Sequence, residues 1–165
     1  MKIRTAIIEG IKVLKKKNIL SANLDSEILL SKAINKNREY ILLNHDSEIN
    51  KKDFFNFQKL IKIRSNRKPI AQITNKKFFW NSEFFVTKDT LIPRPESELL
   101  VENILMLTKN KKRLRILDIG IGSGCLILSI LKERKDFFGT GIDISKKCLN
   151  ISKINAVNTE VNSRL

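Results

Sequence analysis

The sequence is short of cysteine. Cys125 and Cys148 are the only two in 165 residues, too far apart for a CxxC pair and too few for a disulfide framework. Histidine is scarcer still: His45 stands alone in a segment that reads as helical and solvated, so neither a histidine base nor a metal cluster is expected. No apolar run approaches the roughly 20 residues that a membrane-spanning helix needs. The opening MKIRTAIIEGIKVLKKKNIL keeps charges inside its apolar pattern, which argues against a secretory signal peptide. No Gly-Lys-Ser/Thr follows a glycine loop, which excludes a Walker-type phosphate site. These absences predict a cytoplasmic, reduced protein with no membrane partner and no metal.

What is present is charge and a core. The chain has 32 basic against 17 acidic residues, a net +15, with 42% hydrophobic and 30% charged residues. That is the profile of a core-forming chain with room for one full domain or two small ones. The positive charge is spread, +9 over residues 1–75 and +6 over 76–165, and 23 of the 32 basic residues are lysine. There is no concentrated arm, RGG tract or aromatic-basic alternation. Solvated surface and nucleic-acid contact both remain open as explanations.

Hydrophobic spacing predicts a helical bundle over residues 1–72. Residues 3–17 place Ile7, Ile8, Ile11 and Leu14 on one face. SANLDSEILLSKAI follows, with Asn23 or Asp25 as N-cap and Ile28, Leu29 and Ala33 as its buried stripe. A short helix is expected around Glu39–Leu43. Another begins at Asn50 or Asp53 and carries Phe54, Phe57, Leu60, Ile61 and Arg64 at the 3–4 spacing. The period then shortens. Phe78–Trp80 and Phe84–Val86, separated by Asn81-Ser82, predict a hairpin within a linker over residues 73–92, as a plain connector or a binding element. In TLIPRPESELLVENILML, Pro93 and Pro95 push Ile92 and Arg94 towards extended geometry, and Pro95 suits the first position of a helix. Glu96 and Glu98 suit its positive end, and Leu99, Leu100, Ile104 and Leu107 supply its buried side.

LRILDIGIGSGCLILSILKER is the most informative segment. Leu114–Ile119 reads as a strand, Gly120–Gly124 as a turn and Cys125–Lys132 as a helix, the start of a doubly wound α/β domain over residues 93–165. The dinucleotide fingerprint G-x-G-x-x-G/A fails, since its third position falls on Cys125 or Ile127. The spacing is Gly120-x-Gly122-x-Gly124, with Asp118 two residues before it and Asp143 ending the next strand, FFGTGID. A carboxylate at Asp143 can accept the hydroxyls of a ribose. Ser145 would cap the helix that follows.

D-x-G-x-G-x-G with a strand-ending Asp resembles the S-adenosylmethionine site of Rossmann-like methyltransferases. Over residues 1–160 the chain resembles the release-factor glutamine methyltransferases, the HemK/PrmC family. The match is strongest in RKPIAQITNKKFFWNSEFFVTKDTLIPRPESELLVE, with its IPRPE signature, and extends to ILDIGIGSGCL and DSEILL. The resemblance implies a helical substrate-recognition domain, a hairpin linker and an S-adenosylmethionine domain. It implies methylation of the glutamine amide in a release factor's Gly-Gly-Gln loop during translation termination. Gly120, Ile121, Gly122, Ser123, Gly124 and Asp143 would line the cofactor site, with Asp118 added; Arg94 and Glu96 read equally well as rigid-turn residues. The family's Asn-Pro-Pro-Tyr box has no counterpart, because Pro69, Pro93 and Pro95 are the only prolines and none follows an asparagine. The sequence thus reads as truncated before that box, assigns no catalytic residue, and leads us to expect residues 114–165 to be poorly stable alone. A non-catalytic fragment that retains release-factor binding, and a nucleic-acid amino-methyltransferase, are the alternatives.

Overall fold

The computed structural model describes residues 1–165, which divide into two compact units, Met1–Thr74 and Asn75–Leu165. The first unit is all helical: α1 (Ile3–Lys16), α2 (Ala22–Ile34), α3 (Arg38–Leu43), α4 (Lys51–Ser65) and α5 (Ile70–Thr74). Its core joins Ile3, Leu14, Leu29, Leu30, Ile41 and Phe57, all at most 1% exposed. The side chain of Asn50 accepts the Asp53 N–H at 2.8 Å and so caps α4, resolving the choice between those two residues.

Two details of this unit differ from the sequence reading. On α1 the buried side runs through Ile3, Ala6, Ile7, Gly10 and Leu14, leaving Ile8 exposed, because one helical stripe cannot hold two adjacent residues equally deep. On α2 neither Asn23 nor Asp25 is the cap. The helix starts after Ser21, and Asp25 lies inside it, 2% exposed. There the Asp25 carboxylate accepts from Ser21 Oγ at 2.8 Å and from Arg64 Nε of α4 at 2.6 Å. The buried stripe is Ala22, Asp25, Ser26, Leu29 and Leu30; Ile28 and Ala33 are half-buried.

The second unit opens with the hairpin β1 (Lys76–Phe79) and β2 (Ser82–Phe85), antiparallel, with Phe79 opposite Ser82. Trp80 and Asn81 therefore form the turn, one residue earlier than expected. Trp80 has φ +52°, and its N–H donates to Glu98 Oε1 at 2.7 Å. A 3-10 turn, Pro95–Ser97, leads into α6 (Glu98–Leu107), with Pro95 at its first position and Arg94 extended at φ −97°, ψ 139°. Then come β3 (Arg115–Ile119), α7 (Cys125–Glu133), β4 (Phe138–Ile142) and α8 (Lys146–Asn158). Strands β3 and β4 are parallel, with Leu117 beside Thr140 and Ile119 beside Ile142. A βαβ crossover of this kind is the repeating element of a doubly wound domain.

The apolar stripe expected on α6 is not the buried one. Val101 alone is buried on this helix, while Leu99, Leu100 and Leu107 are exposed and Ile104 is half-buried. Amphipathic spacing locates an apolar face but not the layer that covers it. No helix is long and apolar enough to cross a membrane.

Candidate functional site

Strand β3 delivers the chain to the loop Gly120–Gly124, and α7 leaves from it. All three loop glycines sit in the left-handed region, with φ of +81°, +55° and +82° at Gly120, Gly122 and Gly124. Two of them answer different demands. At Gly124, the residue before α7, a Cβ would fall 2.7 Å from Leu128 Cδ1 and 3.3 Å from Ser152 Cβ, so the position serves close packing. At Gly120 a Cβ would meet nothing within 4 Å, so that stretch of backbone is open to an approaching group.

Two polar side chains hold the loop in place. Asp143 follows β4; its Oδ2 accepts from Gly122 N–H at 3.0 Å and its Oδ1 from Ser145 N–H at 2.8 Å. Those amides, Ser145 first and Gly122 second, keep the Asp143 carboxyl below its ordinary 3.8. Ser145 in turn caps α8 by accepting from Cys148 N–H at 3.3 Å.

The second is Asn155 of α8, fully buried. Its Nδ2 donates to the Ser123 carbonyl at 2.8 Å and to the Phe85 carbonyl at 2.9 Å, and its Oδ1 accepts from Phe85 N–H at 2.7 Å. One side chain thereby joins hairpin strand β2 to the glycine loop.

In front of the loop is a cavity of about 130 Å³. Asp118, Gly120, Ile121, Gly122 and Ser123 line it from the strand and loop, Cys125 and Leu126 from the start of α7. Its other wall is the proline segment: Leu91, Ile92, Pro93, Arg94 and Ser97. The geometry thus gathers Asp118 with Gly120 through Ser123, and leaves Gly124 and Asp143 outside the cavity wall. Glu96 is exposed and does not line it; Arg94 does. Rigid-turn geometry and a place in the cavity wall coincide at Arg94.

Electrostatics single out Asp118. Burial, partly offset by an N–H of Ile127 and reinforced by the negative Asp143, raises its carboxyl above the ordinary 3.8. An anion held there is better stabilised by a positively charged ligand than by water. The Cys125 thiol is raised as well, first by burial, which keeps it protonated rather than nucleophilic. Sequence reasoning missed Asn155, whose role depends on a partner 70 positions away, and Ser97; no local signal marks either.

The first unit has a family counterpart: residues 5–74 match the PrmC N-terminal domain. Curated relatives extend the likeness along the chain. A release factor glutamine methyltransferase of Leptospira interrogans is 42% identical over 156 residues, 94% of this chain and 54% of its own length. One of Buchnera aphidicola is 38% identical over 86% of this chain and 51% of its length. One of Clostridium acetobutylicum is 36% identical over all of this chain and 58% of its length. The chain spans about half the length of the curated relatives it matches.

Proposed function

The chain belongs to the release factor glutamine methyltransferase family, and from that premise we propose that its glycine loop holds S-adenosylmethionine for methyl transfer to a release-factor glutamine. The observation that carries this reading is a single cavity. A half-buried carboxylate, an open stretch of glycine backbone and the proline segment with Arg94 face one another there.

The donor set suits the chemistry of the group. S-adenosylmethionine, when bound, supplies a methyl activated by its positively charged sulfur. Asp118 would compensate positive charge on the ligand. The positive N-terminal end of α7 and the guanidinium of Arg94 would face its carboxylate. Gly120, Ile121, Gly122 and Ser123 would bring the backbone close, Gly124 would set the angle between loop and helix, and Asp143 would keep Gly122 in place. Two of the acceptor sites on Asp143 are taken by N–H groups, and those that remain suit ribose hydroxyls.

An amide nitrogen is a poor nucleophile, because its lone pair is delocalised into the carbonyl. Transfer to glutamine therefore depends on acceptors that orient the NH2, and positioning of that kind supplies much of the rate. The residues described here hold the donor side of such a reaction. We assign the helical unit to release-factor recognition, in keeping with its domain match.

Calorimetric titration of the chain with S-adenosylmethionine tests the reading. Saturable binding that S-adenosylhomocysteine displaces and Asp118→Ala abolishes is expected. A folded chain that takes up no S-adenosylmethionine, or whose binding is indifferent to Asp118, would contradict it.

A further inference from the structure

A groove of about 270 Å³ runs between α1 and α4 of the helical unit. Its floor is apolar, built from Val13, Phe54, Phe57 and Ile61, with Glu9 and Lys62 also in the lining. The helices are already in close contact there: a Cβ on Gly10 would fall 2.7 Å from Phe57 Cζ and 3.0 Å from Ile61 Cδ1. The groove therefore cannot close by bringing α1 and α4 nearer, and Val13 stays 44% exposed.

One end of this groove is strongly basic. Lys15, Lys16 and Lys17 close α1, while Lys62, Arg67 and Lys68 stand in and beyond the last turn of α4. Arg67 Nη2 donates to the Lys17 carbonyl at 3.3 Å, which joins the two clusters. All six side chains are exposed, and none is ion-paired within the chain. Residues 10–24 and 54–74 together hold nine Lys and Arg and no Asp or Glu. Asp25, at the same end, is buried and neutralised by Arg64. Glu9, the one carboxylate in the lining, lies about two helical turns from Lys16. Two helix C-termini offset only about one unit of this positive charge.

We propose that the α1–α4 groove docks an acidic amphipathic helix of a protein partner, with apolar side chains on the Val13, Phe54 and Ile61 floor and carboxylates against Lys62 and the lysines that end α1. The two features select the occupant together. A recessed apolar floor between helices suits side chains spaced at i, i+4 and i+7, and the unpaired cations suit only a partner of opposite sign. RNA would meet the same cations but no stacking platform. Phe57 is buried, and the face of the exposed Phe55 ring already carries Lys59 Nζ at 4.3 Å. The inference rests on the assignment of the helical unit to partner recognition, which it deepens by stating where and by what chemistry a partner is gripped. It is independent of the cofactor reading.

The test titrates the full chain into a fluorescein-labelled peptide of about 15 residues, with leucine at i, i+4, i+7 and i+11 and glutamate at most other positions, followed by anisotropy. Saturable binding is expected, weakened about tenfold by Val13→Asp and by Lys62→Glu. Lys52→Glu, at an exposed α4 position outside the groove, should change it by less than about twofold. Circular dichroism checks that each variant is folded. A folded chain that ignores the acidic peptide, or binds it equally well in all three variants, overturns the proposal. So does a single-stranded RNA of about 15 nucleotides that binds more tightly than the peptide and loses affinity in the same variants, which would assign the cations to nucleic acid. A release factor that binds every variant as well as the unsubstituted chain overturns the groove and leaves the recognition reading standing. One that fails to bind the unsubstituted chain overturns that reading and the proposal with it.

Discussion

Asp143 grips the middle of the glycine loop, its Oδ2 accepting the N–H of Gly122 at 3.0 Å while Oδ1 accepts that of Ser145. The end of one strand thereby fixes the turn after its neighbour. Asp143→Ala removes both acceptors. Each bond contributes about 1 kcal/mol net, so a loss near 2 kcal/mol of stability and a tenfold or greater loss of S-adenosylmethionine affinity are expected. Thermal melting and titration calorimetry check the pair.

Acid should release this grip. The folded carboxyl is held below its unfolded value, so the stabilisation is present above about pH 4 and fades as pH falls through the lower folded value. Hydrogen exchange at Gly122 and Ser145 should therefore accelerate, relative to α7, in strongly acidic buffer.

Asp118 should behave in the opposite sense, because burial raises its carboxyl. Its ionised form is the strained one: the contribution to stability is present below the unfolded value and is lost as pH rises through the folded one. Asp118→Asn should then leave stability at neutral pH equal or higher, by up to about 1 kcal/mol, while lowering affinity for a cationic ligand. Binding of S-adenosylmethionine should weaken as the pH drops through the raised value and release protons near it. Calorimetry in two buffers of different ionisation enthalpy measures that release.

Asn155→Leu tests the link between β2 and the loop. Three hydrogen bonds to backbone groups of Phe85 and Ser123 are lost, which should cost about 2–4 kcal/mol and weaken cofactor binding through Ser123, although Asn155 does not itself line the cavity. Urea denaturation with and without S-adenosylmethionine separates the two effects.

Asp25 and Arg64 make the corresponding test for the helical unit, with side chains only 4% and 16% exposed. Arg64→Leu leaves a buried carboxylate with Ser21 alone and should cost about 3 kcal/mol, seen as a lowered melting temperature of Met1–Thr74. Limited proteolysis of the full chain should leave that unit intact and cut first in Asn75–Leu165, whose sheet has an uncovered face.

Much of the fold was legible. The 3.6-residue period located the first four helices of the bundle, the β-forming runs located the hairpin, and the glycine spacing located the strand–loop–helix of the second unit. The misses share a cause. Ile8 and the stripe Leu99, Leu100 and Leu107 are apolar, but periodicity does not report whether a second layer lies opposite. Asp25 looks like a helix cap until Arg64, 39 positions away, arrives to neutralise it. Asp118 lines the cavity, whereas two acceptor sites of Asp143 are taken by the Gly122 and Ser145 amides, a distinction that sequence does not carry. Asn155 carries no signal in its own neighbourhood.

Hydrogen exchange of the full chain with and without saturating S-adenosylmethionine is the most direct measurement. Slowed exchange confined to the amides of Gly120–Ile127, lost in Asp118→Ala, is the predicted result. A well-folded chain whose exchange at those amides does not change, or changes only in the helical unit, would contradict it.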